Sequence, residues 1–175
     1  MVPAGYGFLV AEANQAQVTF ESLRGRVRRS ADVTAQVGNL TPTALAKRGR
    51  RLVMGNLGKV PFIDGSSAVF TLSLRGKITQ MHSGLTTVVA LSYDHHGRLY
   101  ALETSVGKPV EPPFLFRSTG RVVRIGRDGS LTPIVEELNF PTGMTPGPRG
   151  DLYVSVCGYG CPAGAGAVVR VDLGR

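Results

Sequence analysis

Short runs of apolar and β-branched residues, separated by glycine turns, form the dominant pattern of this chain. The stretch 86–138 shows it most clearly, with Gly97 and Gly129 each closing a turn between two such runs. Because glycine accepts positive φ without steric cost, these turns predict hairpins. The stretch therefore predicts a unit of four antiparallel strands, at Val88–Tyr93, Leu99–Thr104, Arg121–Ile125 and Leu131–Glu137.

The same unit recurs along the chain. VTFESLRG at Val18–Gly25 matches VFTLSLRG at Val69–Gly76, and VVRIGRDG at Val122–Gly129 and VVRVDLG at Val168–Gly174 continue the series. The spacing is about 50 residues, and four short antiparallel strands at that period are typical of a β-propeller blade. A β-sandwich would also give many short strands, but it would not predict a fixed sequence repeat.

The predicted fold is therefore all-β, a β-propeller of four-stranded antiparallel blades with about three and a half blades in this chain. A single partial propeller domain covers 1–175, with blade segments at about 1–38, 39–85, 86–138 and 139–175. With the strands of each blade named a to d, the chain reads b-c-d, two complete blades, then a-b-c, which makes fourteen strands. No segment has a helical period, so essentially no helix is expected.

The two ends of this arc do not complement each other, since the first blade is predicted to lack strand a and the last to lack strand d. An open arc would expose two apolar blade faces, at about 500 Å² each and ~25 cal/mol per Å². Leaving these two faces exposed forgoes on the order of 10 kcal/mol or more of hydrophobic stabilisation. This loss is comparable with the whole stability of a domain, about 5–15 kcal/mol. We therefore expect a piece of a longer propeller, or self-association through the exposed blade faces.

The net charge of +8 is predicted to be distributed unevenly between the two faces of the propeller. Acidic Glu12, Asp64, Glu103 and Glu111 lie on the d–a and b–c connections, whereas basic residues flank the a–b and c–d turns. These basic residues are Arg24, Arg26, Lys47, Arg48, Arg50, Arg51, Arg75, Lys77, Arg98, Arg127 and Arg149. Such a polarised disc could attract an anionic partner, although drift of turn positions to arginine explains it with no partner. Few aromatic residues and no Trp disfavour nucleic acid.

Two long motifs carry a family resemblance. NFPTGMTPGPRGDLYVSVCGYG…GAGAVVRVDLG and GRLYALETS…GRVVRIGRDGSLTPIVEEL resemble the ScyD/ScyE family, six-bladed propellers related to NHL-repeat and gluconolactonase-type folds. The resemblance implies six blades and an exported protein, with no defined catalytic mechanism. The segment Met1–Gly5 shows no basic and apolar signal-peptide pattern, and no apolar run is long enough to predict a membrane span. The Asp-Gly turns usual in the family are replaced here by pairs such as Arg48-Gly49 and His96-Gly97.

The b strands are predicted to end on the face where propeller loops converge on the central channel. Their last positions are Glu12, Asn56, Glu103 and Val156. Related gluconolactonase-type propellers hold calcium or another divalent ion near this channel mouth with Glu, Asn and Asp, and hard cations prefer such oxygen ligands. Glu12, Asn56 and Glu103 are therefore a candidate metal set, although Val156 breaks the ring and solvated strand ends are the simpler interpretation. The candidate ligand-facing loop residues are Asn14, Thr43, Thr87, Thr142 and Tyr159.

Cys157 and Cys161 are separated by Gly-Tyr-Gly in the last b–c loop. This gap permits a small-loop disulfide, and free thiols are the alternative in a reducing compartment. Zinc would need two more ligands. A nucleophilic cysteine would need a nearby base, and the histidines are expected elsewhere.

Two functions are open from the sequence. The first is a binding scaffold that presents its channel-mouth loops to a small molecule or a protein, and no catalytic residue is assigned to it. The alternative is a divalent-metal-dependent lactonase-type hydrolase, with Glu103 as metal ligand or base. The absence of a catalytic constellation favours the first.

Overall fold

Four antiparallel sheets make up the structure, a computed structural model that describes residues 1–107, 112 and 114–174. Three sheets have four strands and the last has three, and in every sheet the strands lie side by side in chain order. This up-and-down arrangement, repeated four times, confirms the all-β propeller prediction. Each sheet is called a blade below, numbered from the N-terminus.

The strands lie close to their predicted positions. In the third blade, β9 begins and ends as predicted at Val88 and Tyr93, and β10 ends one residue early at Glu103.

The strand bounds are as follows. Blade 1 comprises β1 Val2–Ala4, β2 Gly7–Glu12, β3 Gln17–Ser22 and β4 Val27–Asp32, and blade 2 comprises β5 Pro42–Arg48, β6 Arg51–Asn56, β7 Ser67–Leu72 and β8 Ile78–Leu85. Blade 3 comprises β9 Val88–Tyr93, β10 Leu99–Glu103, β11 Gly120–Ile125 and β12 Leu131–Leu138, and blade 4 comprises β13 Gly143–Pro146, β14 Leu152–Val156 and β15 Ala167–Val171.

The first blade is complete, so the prediction that it lacks strand a was wrong. Val2–Ala4 pairs antiparallel with β2, Val2 lying opposite Leu9. A three-residue strand is too short to show alternation, and Pro3 argued against one. At a sheet edge, however, proline is tolerated because its missing N–H is not needed. The chain therefore reads a-b-c-d in the first three blades and a-b-c in the fourth.

A single short helix, α1 at Val33–Val37, is present among the described residues. Asp32 caps it by accepting a 2.9 Å hydrogen bond at Oδ1 from the backbone N–H of Ala35. Gln36 then ties blade 1 to blade 2, because its amide donates to Gly76 O and accepts from Ile78 N. No helix in the described part of the chain is long and apolar enough to cross a membrane.

The core lies between neighbouring blades, and the strand period of two builds it. On β10, Leu99 and Ala101 pack toward blade 2, whereas Tyr100 and Leu102 pack toward blade 4. On β6 the same alternation sends Met54 to the blade 1 side. Successive side chains of a strand point to opposite faces, so each inner blade buries both faces, and its b strand is apolar between its ends.

The a–b turns of neighbouring blades interlock. The Arg48 guanidinium donates to His95 O at 3.0 Å and lies directly against Gly97, where a Cβ would overlap it. The His95 ring lies in the same way against Gly150 of blade 4. Both glycines have positive φ. Arg48 in this turn thus contributes to the packing between blades.

Candidate functional site

Glu103 is a charged side chain with no solvent exposure, at the end of the b strand of blade 3. Its Oε1 accepts a hydrogen bond from the backbone N–H of Thr86, and its Oε2 accepts one from Arg121 Nε, each at 2.5 Å. Arg121 stands directly opposite Glu103 in the β10–β11 ladder, and its side chain is 23% exposed. The carboxylate is therefore paired with a cation that reaches the surface.

The environment of Glu103 shifts its acidity. Burial raises the pKa of Glu103 above its usual value, and Arg121 and the Thr86 N–H recover only part of that shift. The negative charge of Asp64 adds to the increase in pKa. Burying a carboxylate is costly unless it is paired, and a carboxylate with a perturbed pKa at a strand end is a marker of functional sites.

Blades 3 and 4 meet at the hydroxyl of Thr104, the residue after Glu103. Thr104 Oγ1 lies 2.7 Å from both Pro141 O and the hydroxyl of Tyr159. The Tyr159 ring packs against Phe140 at 4.8 Å between centroids and keeps 37% of its surface exposed. Burial raises the pKa of Tyr159, with the Thr104 hydrogen bond lowering it in part, so its hydroxyl is protonated at neutral pH.

The b–c loop that carries Tyr159 is closed by a disulfide between Cys157 and Cys161, whose Cα atoms are 5.4 Å apart. Tyr159 lies in the middle of this five-residue ring. The disulfide limits the conformations of the loop and thereby holds the ring of Tyr159 beside Phe140 and Thr104.

The predicted loop residues divide into two kinds. Thr87 is buried and bonds both backbone groups of Ser105, and Thr43 Oγ1 donates to Val88 O. Their hydroxyls thus connect segments within the protein. Asn14 and Thr142 are exposed, and Thr142 Oγ1 lies 3.2 Å from Ser155 Oγ. With Tyr159, these are the predicted loop residues that are exposed, whereas Thr43 is half-buried.

Each residue of the predicted metal set makes hydrogen bonds of its own. Glu12 uses both carboxylate oxygens on its own turn, accepting from the N–H groups of Asn14 and Gln15 at 2.9 Å. Asn56 is fully buried and accepts at Oδ1 from Ala68 N. Its Nδ2 and the Ser67 hydroxyl have no partner among the described residues. Within the described ranges, no three His, Cys, Asp or Glu side chains lie close enough to hold a metal ion.

A divalent cation would have to bind the oxygens of Glu12, Asn56 and Glu103 in the presence of these contacts. The oxygens of Glu12, Asn56 and Glu103 already accept hydrogen bonds. The free group of Asn56 is an NH₂, which is not a cation ligand. The Arg121 guanidinium already pairs with Glu103, and its positive charge disfavours a second cation at this carboxylate.

Arg121 and Thr104 are the site residues that sequence reasoning missed. The sequence signal for Arg121 was its position at the start of a c strand. Because b and c strands pair antiparallel, the start of the c strand lies beside the end of the b strand, where Glu103 is. The connection from 104 to 119 hides the register, however, and one residue of slip moves the arginine to the other sheet face. Glu111, in the same connection, lies outside the described residues.

No family profile and no curated protein sequence matches the chain, but solved structures share its fold. A calcium-binding protein, regucalcin, from Agrobacterium tumefaciens superposes with a TM-score of 0.67 at 14% identity, over 98% of this chain and 55% of that one. A gluconolactonase from Xanthomonas campestris gives 0.53 at 16% identity, over 97% and 57%. Virginiamycin B lyase from Staphylococcus aureus gives 0.56 at 12% identity, over 98% and 53%.

The chain therefore has the β-propeller fold seen in gluconolactonase- and regucalcin-type structures. It spans a little more than half the length of these structures. At such identities the likeness shows the architecture alone, because one fold supports many different functions.

Proposed function

We propose that this chain is a ligand-binding propeller of ScyD/ScyE type, with its site where the b strands of blades 3 and 4 end. The observation that carries the proposal is the closed pair of Glu103 and Arg121. A nucleophile or general base must lie within hydrogen-bond reach of the substrate, whereas Glu103 has no solvent exposure and is paired with Arg121. The pair therefore suits holding a ligand-facing arginine in place better than it suits catalysis.

The exposed groups around the pair favour an aromatic ligand with hydroxyl groups. Tyr159 and Phe116 are 37% and 41% exposed, which is high for large aromatic side chains. Phe116 is anchored through its N–H to Ser105 Oγ, beside Thr104. Aromatic rings bind flat apolar ligands, and the hydroxyl of Tyr159 can exchange hydrogen bonds with them.

A panel of small phenols and aromatic alcohols, screened by ligand-observed NMR, tests this proposal. We expect at least one compound to bind, and Tyr159→Ala to weaken it by about tenfold, the cost of one stacking contact with a hydrogen bond. Tyr6→Ala is the matched control, because Tyr6 is 72% exposed and lies in the a–b turn of blade 1, at the other ends of the strands from the b–c loop of Tyr159. No binding by the panel, or equal weakening in both variants, would contradict the proposal.

A divalent-metal-dependent lactonase-type hydrolase is the second candidate, and the names of the similar solved structures favour it. The ion would be Ca²⁺ or another divalent cation held by Glu12, Asn56 and Glu103. This function requires the ion to reach Glu103, which is fully buried and already paired with Arg121. Metal-dependent hydrolysis of a sugar lactone by the purified chain would support it.

A protein partner at the same loops and self-association through blade faces remain predictions, as does an exported location. The Cys157–Cys161 disulfide supports export, because disulfides persist in oxidising compartments.

A further inference from the structure

A cleft of about 590 Å³ opens between blades 2 and 3 on the edge that carries the a–b and c–d turns. It lies at the opposite ends of the strands from Glu103 and is separate from the site described above. Blade 2 contributes Arg50, Arg51 and Lys77 to its walls, and Arg127 stands on the blade 3 side. Arg98 and Arg124 also border the cleft, but they alternate with Leu99 and Ile125 and lie on the face of Tyr100, toward blade 4. Its volume is that of a typical small-molecule site.

The charge in this cleft is uncompensated. No carboxylate is among the described residues that line it. Arg98 pairs on the blade 4 side with Asp94, which accepts its Nε–H at 2.5 Å. Within the described ranges, Arg50, Arg51, Lys77 and Arg127 form no ion pair. Like charges on two facing walls repel each other, so an anion between the blades would relieve this repulsion.

The floor of the cleft combines apolar and polar groups. Val53, Leu99 and Ile125 close its base with buried side chains from the core between blades 2 and 3. Tyr93 is half-buried there: burial raises the pKa of its hydroxyl, and Arg51 and Arg48 offset part of that increase. The hydroxyl is thus protonated at neutral pH and can donate a hydrogen bond to an anion.

We propose that this cleft binds a small polyphosphate anion, such as the phosphate chain of a nucleotide. Guanidinium groups match phosphate oxygens in a planar, two-bond geometry. Cations on two separate walls can bind two or more linked phosphate groups at once, whereas a single small anion would contact only one wall. The apolar base offers contact to an organic body attached to the phosphates.

Titration calorimetry of the full chain with inorganic pyrophosphate and with ATP, at about 150 mM salt to screen diffuse attraction, tests this. We expect Arg51→Gln/Arg127→Gln to weaken binding by about 30-fold or more, as two lost charge-assisted hydrogen bonds imply. Arg24→Gln/Arg75→Gln removes the same charge from exposed c–d turns outside the cleft, and we expect a change of less than about threefold.

All four arginines are exposed, so these variants should fold, which circular dichroism checks. Arg50→Gln/Lys77→Gln provides a second cleft variant with the same expected loss. Cleft-specific weakening with either probe supports the proposal. It is overturned if neither probe binds, or if control and cleft variants lose affinity equally, since the attraction would then belong to the whole basic face.

Discussion

Glu103 on β10 and Arg121 on β11 stand directly opposite each other in the sheet, and Arg121 Nε donates to Glu103 Oε2 at 2.5 Å. One partner is fully buried and the other reaches solvent. Removing one member of such a pair leaves an uncompensated buried charge, which costs more than the pair contributes. The stability of blade 3 therefore depends on Arg121 far more than on an ordinary surface arginine.

We expect Arg121→Met to lower the free energy of unfolding by about 3 kcal/mol at pH 7. The pKa of Glu103 is already raised in the folded state, and losing Arg121 raises it further. A group with a raised folded pKa stabilises the fold below its unfolded pKa and loses that contribution as pH rises through the folded pKa. The defect should thus shrink from pH 7 toward pH 5, as measured by urea unfolding.

Arg29→Met is the control for this experiment, because Arg29 pairs with Asp32 at the surface with 60% and 36% of the side chains exposed. Its cost should stay below about 1 kcal/mol at every pH. A defect in Arg121→Met that is equally small, or that grows on acidification, would contradict the role given to the pair.

Asp94→Asn should show the opposite pH dependence. Burial alone would raise the pKa of Asp94, but hydrogen bonds from the side chain and backbone of Arg98 outweigh it and lower the pKa below the usual value. Such a group stabilises the fold above its unfolded pKa and loses that contribution as pH falls through the folded pKa. Asp94→Asn should lower the free energy of unfolding by about 1–2 kcal/mol at pH 7, because the Arg98 side chain left behind is 35% exposed. Parallel urea titrations should show that difference narrowing below about pH 4.

Gly97→Ala tests the interlocked turns. Gly97 has φ +83° and contacts the Arg48 guanidinium, so a methyl group there meets both backbone strain and a clash. We expect a loss of about 2–3 kcal/mol in free energy of unfolding. Gly25→Ala is the matched control, with φ +76° but open space around its Cβ position, and should cost about 1 kcal/mol. Equal losses in thermal denaturation would show that packing by Arg48 is unimportant.

The strands were predictable because they rest on local patterns. The alternation that sends Tyr100 to one neighbour and Ala101 to the other is written into the sequence, as are the glycine turns. The first strand was missed because three residues including Pro3 carry no period. The partner of Glu103 could not be assigned, since register across a long connection depends on tertiary packing.

Removing the disulfide with Cys157→Ser/Cys161→Ser tests how Tyr159 is held. A five-residue ring constrains the unfolded chain modestly, so the loss of stability should be about 2 kcal/mol. The Tyr159 loop should exchange its amide hydrogens faster, while amides of β10 should change little. Hydrogen-exchange mass spectrometry measures both, and unchanged protection at Tyr159 would show that Phe140 and Thr104 suffice to hold it.

Glu103 is held by Arg121, and the ligand site proposed beside this pair needs no divalent ion. Thermal unfolding of the purified chain in about 5 mM CaCl₂ and in EDTA distinguishes this proposal from the hydrolase, because a ligand of the folded state raises Tm. We predict a difference below about 1 °C, and no hydrolysis of a sugar lactone in either buffer. A rise of about 5 °C or more with Ca²⁺, accompanied by calcium-dependent lactone hydrolysis, would contradict the claim and establish the hydrolase.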